Sequence, residues 1–283
     1  MPSSSEIAFE PSGGGVGAFV RNIDLSENPS GNVAGALRAA LGEYGVLFFR
    51  DQRLSPEQHL SFARSMGPIN VNRFFKPVDG HPEIAEVRKE PDQRANIGGG
   101  WHTDHSYDTE PAMGSVLLAR ETPPQGGDTA FANMYAAFDS LSEGLKQTLL
   151  GLRAVHSSRH VFGANSARRT GKDIGERVGN EDLATQDAVH PAVIRHPISG
   201  RHALYVNPGF TLHFEGWSVE ESAPLLNYLY QHAARPEHTY RFQWENDSIA
   251  FWDNRATWHY AVNDYHGARR LMHRITIDGG PLS

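Results

Sequence analysis

The chain has 283 residues, 39% of them hydrophobic and 21% charged, with a formal net charge of −7 and no cysteine. That length suits one large domain or two small ones and is enough to bury a substantial core. The acidic balance, without a long basic run, argues against a nucleic-acid groove or an anionic membrane surface; the lack of cysteine excludes disulfides, thiolate catalysis, iron–sulfur clusters and Cys-type zinc sites. Met1–Glu6 lacks a charged start followed by an apolar core, and no apolar run approaches a membrane span, so a cytoplasmic protein is expected.

In chain order, Gly13–Gly15 sits in a turn-rich lead-in. Ser30 is placed to cap a helix whose Val33, Leu37, Leu41 and Tyr44 share a face, with Gly45 ending it. Val46–Phe49 is an apolar run of strand type. Ser55-Pro56-Glu57-Gln58 has a helix-start signature, and that helix should stop near Gly67. The stretch from Asn70 to Gln93 is polar around one expected strand, Ile84–Val87. Strands are expected at Gly114–Ala119 and Thr129–Ala132, separated by the turn Pro123–Asp128, then a helix from about Tyr135 to Leu150. A strand candidate ends at Val155–His156. From Ala164 to Asp187 the composition turns polar, which in a compact domain marks a functional lid or disorder. Ala192–Arg195 and Ala203–Val206 follow as strands. Ser218–Glu221 opens a second capped helix running to about Ala234, and Tyr240–Trp244, Ser248–Trp252 and Leu271–Ile277 complete a strand-rich second half. No repeat or interdomain linker is visible. Many short strands with flanking helices point to a β-sandwich or double-sheet barrel forming a single domain, mostly β.

The centre of the pattern is Gly98-Gly99-Gly100-Trp101-His102-Thr103-Asp104. In an extended segment residues two apart share a side, so His102 and Asp104 present an imidazole and a carboxylate together. His259 lies between two strand candidates in Trp252–Tyr260, and Arg270 and Arg274 follow an even number of residues apart. Two imidazoles and one carboxylate with other positions open are the ligand set of non-haem Fe(II) oxygenases. An arginine after the distal histidine suits a co-substrate carboxylate, since its planar fork matches one bidentately. His105, beside the ligands, reads as a pocket-lining or hydrogen-bonding residue, and Trp101, Trp252 and Trp258 as packing around the metal site.

Trp101–Asp104, Gly126-Gly127-Asp128-Thr129, Tyr205-Val206-Asn207, Trp252-Asp253-Asn254 and Arg269–Arg274 carry a resemblance over nearly the whole chain. The sequence resembles the TauD/TfdA family of Fe(II)- and 2-oxoglutarate-dependent dioxygenases. The resemblance implies a distorted double-stranded β-helix (jelly roll). It implies His102, Asp104 and His259 as iron ligands, Thr129 and Arg270 on the far carboxylate of 2-oxoglutarate, and Arg274 on the acidic group of the substrate. O2 and 2-oxoglutarate would be co-substrates, with succinate and CO2 released as an unactivated C–H bond is hydroxylated. A homo-oligomer, dimer or tetramer, is implied by the resemblance alone.

The taurine-oxidising pattern breaks at the pocket. Asn72 and Phe75 stand where a histidine and a tyrosine are used, Gly98 replaces an asparagine and Val161 a serine, while Phe162 and Phe210 are retained. Polar partners are lost and apolar room is gained, which argues against a small zwitterion. Val155-His156-Ser157 and Val161-Phe162-Gly163 are more like the phenoxyalkanoate members. The expected substrate is a small organic acid with an apolar or aromatic body, with C–O or C–S cleavage where the hydroxylated carbon bears that heteroatom. A sulfonate or N-acyl amino acid is the alternative within the same chemistry. A zinc hydrolase could use the same three ligands but has no need of Thr129 and Arg270. The segments 70–98 and 164–187 are expected to form a lid over the iron.

Overall fold

Val46–Phe49 is a wholly apolar, wholly buried strand because protein covers it on both sides. Side chains alternate across a strand. Val46 and Phe48 enter one core with Phe131 and Phe242, while Leu47 and Phe49 enter another with Leu37, Leu41 and Phe62 from two helices. Burial on both faces is what an unbroken apolar run encodes.

The computed structural model describes residues 6–164 and 177–283. Its larger sheet runs in the order Ala8–Pro11, Ala18–Arg21, Val46–Phe49, Ile249–Asp253, Gly114–Glu121, Arg270–Ile277, His81–Lys89, Pro77–Val78, with Ile69–Asn70 also paired to Arg270–Ile277. Only the contact of Ala18–Arg21 with Val46–Phe49 is parallel. A smaller sheet, Thr239–Phe242, Thr129–Asn133 and Thr257–Ala261, packs against it, and Phe48 stacks on Phe242 with ring centroids 4.4 Å apart. Beyond the smaller sheet, Arg153–Ser157 pairs with Asp187–Pro191 and Thr211–Phe214, and Val193–Arg195 with His202–Leu204. The helices Met134–Asp139 and Val219–Ala233 share a core there with Tyr205 and Trp258. The protein is mostly β with few helices, and among the described residues no helix is long and apolar enough to cross a membrane.

Local signals explain most boundaries. Helix Gly31–Tyr44 ends where Gly45 turns to φ +74° and its N–H reaches Leu41 O, although the Ser30 side chain makes no cap bond. Ser55 with Gln58, and Ser218 with Glu221, form reciprocal capping boxes. The single helix expected from Tyr135 to Leu150 is instead two, Met134–Asp139 and Glu143–Leu150. Asn133 caps the first, and Ser140 Oγ turns back onto Ala136 O at its end, a serine–backbone bond that competes with helix continuation. The strand expected at Ile84–Val87 extends over His81–Lys89, its ends concealed by charged residues. Much of 70–98 is thereby built into the sheet. Residues 165–176 of the second expected lid segment lie outside the described residues. Its described end, however, is tied to the first: Phe75 bridges Val178, Gly179 N–H donates to Phe74 O at 2.8 Å, and Asn180 Nδ2 donates to Arg73 O at 2.7 Å.

His59 and His156 are fully buried, and that burial, with His273 and Arg120 near the first and His190 near the second, pulls both down to about 3. Unfolded histidine titrates near pH 6.5. Below that pH the unfolded chain binds more protons than the folded one, so the contribution of these neutral rings is complete above about 6.5 and is lost as pH falls towards 3. Urea titrations are expected to show unfolding free energy dropping by up to about 3 kcal/mol per pH unit between pH 6 and 4. A flat profile over that range would contradict this account.

Candidate metal centre and its cavity

His259 lies on the strand Thr257–Ala261 rather than between strands. Alternation sends Trp258 into the core with Tyr205 and turns His259 the other way, over the Trp252 ring at 4.6 Å between centroids. His102 is fastened to it by two reciprocal backbone bonds: His102 N–H to His259 O at 3.1 Å and His259 N–H to His102 O at 2.8 Å. The rings are consequently 4.1 Å apart. Gly98 makes this approach possible: it sits at φ +76°, its carbonyl accepts from Ala261 N–H, and a Cβ there would lie 3.2 Å from His102 Cε1. Asp104 leaves the extended segment at the start of a turn. Its Oδ1 is 3.8 Å from His102 Nε2 and its Oδ2 is 3.7 Å from His259 Nε2.

These three donors lie within 4.8 Å of one another. His102 Nδ1 is 2.8 Å from Gly100 O, so Nδ1 carries the proton and Nε2 is the nitrogen that would ligate, its ring held by the carbonyl as expected of a ligating histidine. Burial, assisted by His102, holds His259 well below the ordinary histidine value, keeping it neutral. Burial alone would raise Asp104, but the Arg274 guanidinium against its Oδ2 outweighs it and holds the carboxyl below the usual range. Two neutral imidazoles and one ionised carboxylate are the donor set that a hard-to-borderline divalent cation takes, and the residues present fit Fe(II).

Arg270 is buried and its Nε donates to Gly127 O at 3.1 Å, while its Nη2 has no hydrogen-bond partner among the described residues. Burial pulls this guanidinium below its ordinary value, as expected where a cation awaits an anion. Thr129 Oγ1 accepts from Trp244 Nε1 at 3.0 Å and keeps its own hydroxyl proton to donate. Arg274 donates from Nη1 to Asp104 Oδ2 at 3.1 Å and lies over the Phe75 ring at 4.5 Å, and its Nε has no hydrogen-bond partner among the described residues.

All thirteen residues singled out from the sequence line one cavity of about 790 Å³, solvent at its mouth included. They are the iron-ligand candidates with Thr129 and Arg270, together with Asn72, Phe75, Gly98, His105, Val161, Phe162, Phe210 and Arg274. Sequence reasoning missed Val87, Ile97, Tyr107, Leu117 and Ala261 and took Trp252 only as packing. Register supplies the missing signal for two of them. Val87 pairs with Met272 and Leu117 with Arg274, so the strand carrying both arginines carries these apolar walls beside it.

A mostly β scaffold that closes two imidazoles, a carboxylate and a buried arginine around one cavity defines a non-haem iron oxygenase of the 2-oxoglutarate-using kind. The chain belongs to the TauD/TfdA family: residues 8–276 match the family model described as taurine catabolism dioxygenase TauD, TfdA family. An alpha-ketoglutarate-dependent sulfate ester dioxygenase of Pseudomonas putida is 33% identical over 98% of this chain and 91% of its own. An alpha-ketoglutarate-dependent 2,4-dichlorophenoxyacetate dioxygenase of Cupriavidus pinatubonensis is 33% identical over 92% of this chain and 93% of its own. The crystal structure of a taurine dioxygenase from Burkholderia xenovorans, 34% identical, superposes with a TM-score of 0.82 over 98% of this chain and 93% of that one. The protein is an oxidoreductase that uses Fe(II), 2-oxoglutarate and O2.

Gly209 packs directly beneath the proximal histidine, where a Cβ would fall 2.6 Å from His102 Cβ. Gly209→Ala is therefore expected to displace His102 and weaken Fe(II) binding about 10-fold or more, a loss of roughly 1.4 kcal/mol, measured by anaerobic calorimetry on folded protein. Unchanged affinity would show that the glycine does not set the ligand position.

Proposed function

We propose that this chain hydroxylates an unactivated C–H bond of a small organic acid with an apolar or aromatic body. The observation that carries this reading is Arg274 offering a cationic grip in a cavity also walled by Phe75, Val161, Phe162 and Phe210. Sulfate esters and phenoxyacetate named for the relatives fit the same description. Taurine fits poorly. The Asn72 carbonyl oxygen is already taken by Phe74 and Phe75 N–H, at 2.9 and 3.1 Å, so it has little to offer a small polar zwitterion. The two facing sheets are read as a distorted double-stranded β-helix, with the whole chain as one dioxygenase domain.

His102, Asp104 and His259 would hold the iron, and Arg270 with Thr129 the far carboxylate of 2-oxoglutarate. The bound iron and 2-oxoglutarate supply the oxidation: O2 is divided between the carboxylate of succinate, formed with loss of CO2, and the new hydroxyl of the product. No side chain acts as a nucleophile. Arg270 orients the co-substrate through its open Nη2, and Arg274 fixes the substrate anion so that one C–H faces the ligands. The apolar wall excludes water from the reaction. Where the oxidised carbon also bears an ether or ester oxygen, or sulfur, the hydroxylated product can lose that group, giving C–O or C–S cleavage.

Asp104→Ala should abolish substrate-dependent succinate release, and full coupled activity in that variant would refute the ligand assignment. Arg270→Lys keeps charge but loses the fork, so it should raise the apparent KM for 2-oxoglutarate more than that for the substrate, and Arg274→Lys should do the reverse. Equal effects would refute this division of roles. A screen of taurine, alkyl sulfates, aryloxyalkanoates and N-acyl amino acids tests the pocket directly: taurine as best substrate, with the others inert, would overturn its reading.

A further inference from the structure

Tyr107 is 2% exposed and lines the cavity. Its ring is wedged among aromatics: Phe210 lies edge-on at 4.8 Å between centroids, Phe162 at 6.0 Å and Phe74 at 6.3 Å, and Arg73, paired with Asp108, lies over it at 5.8 Å. Phe210 is in turn 6.3 Å from the His102 ring. A phenylalanine would fill the same space, yet this residue adds a hydroxyl, which makes no hydrogen bond among the described residues. Burial, with Asp108 and Asp104 adding to it, raises the phenol above its ordinary value, so it keeps its proton and can donate. Arg73 and Arg274 are the cations whose charge reaches that oxygen. Arg274 commits Nη1 to Asp104 Oδ2, and its Nε has no hydrogen-bond partner among the described residues. What remains of the guanidinium is a planar edge, suited to two oxygens lying in one plane.

We propose that Tyr107 is a specificity-determining residue whose hydroxyl donates to a third oxygen of the substrate's anionic head, and so selects tetrahedral sulfur oxoanions, sulfonates and sulfate monoesters, over carboxylates. The proposal rests on the reading of Arg274 as the grip on the substrate anion and narrows it to one head-group chemistry. The two oxygens of a carboxylate are matched by the guanidinium edge alone. A sulfonate keeps one oxygen more, and within an apolar wall that oxygen needs a donor of its own. Hydrogen bonds to a charged acceptor are the strong ones, so a single hydroxyl is enough to separate the two heads.

The test compares hexanesulfonate with heptanoate, which set the same alkyl body on a tetrahedral or a planar head. Wild-type enzyme should prefer the sulfonate. Tyr107→Phe removes only the hydroxyl and should lower kcat/KM for the sulfonate by about 10-fold or more, chiefly through KM, while heptanoate changes by less than about 2-fold. The concentration of acid needed to perturb the anaerobic Fe(II)–2-oxoglutarate absorption band should rise for the sulfonate alone, a binding readout independent of turnover. The band itself and the KM for 2-oxoglutarate should stay as in the wild type. Equal losses with both acids would mark a packing role, and an unmoved sulfonate would mean that the hydroxyl does not touch the head. Either result overturns the proposal, as does wild-type enzyme that shows the band but prefers heptanoate or accepts neither acid. Wild-type enzyme without the band, or both acids unaffected by Arg274→Lys, would instead remove the reading beneath the proposal and the proposal with it.

Discussion

The pair of backbone hydrogen bonds joining His102 to His259 is the constraint on which the centre depends. Residues 157 positions apart in the sequence are held as neighbours by main chain alone, so ring placement does not rely on flexible side chains. The smaller sheet fixes one histidine, the glycine-rich approach brings the other alongside, and Trp252 sets the ring plane of His259 from the larger sheet. Preorganisation of this sort lets a cation bind without first ordering its ligands.

Charge follows the same economy. Asp104 is buried but faces Arg274 and two imidazoles, so it stays ionised in the absence of any ion. Arg270 has the opposite arrangement, buried with an N–H that finds no hydrogen-bond partner among the described residues. Asp104 is thus balanced by its neighbours within the protein, whereas Arg270 is left cationic, a polarity that favours an anionic co-substrate beside Arg270.

Much of this was legible in the chain. His102, Asp104, His259 and Arg270 stand out because chemistry of this kind requires particular residue types at fixed spacings, Thr129 only through the family resemblance, and the capping boxes at Ser55 and Ser218 because their hydrogen bonds are local; the structure brings the first five to one cavity. Strands Ala8–Pro11 and Ala18–Arg21 escaped notice, being four residues long and separated by a glycine-rich turn. The break at Ser140 was hidden by good helix formers on both sides. Val87 and Leu117 look like any core residue until pairing register shows which face they share. The link between Asp108 and Arg73 was equally invisible, because it joins residues 35 apart through a fold rather than a motif.

Arg270 and Arg274 stand on one strand, four residues apart, and that strand is paired on both sides by His81–Lys89 and Gly114–Glu121. At about 3.3 Å of rise per residue their Cα atoms are held roughly 13 Å apart. In the roles assigned to them, the anchoring points of co-substrate and substrate are two graduations on a single inextensible ruler. Changes in the loops can widen or narrow the space around a substrate, but the spacing of the Cα atoms that carry the two guanidinium groups is set by peptide geometry. In those roles the two arginines would select acids by length as well as by shape.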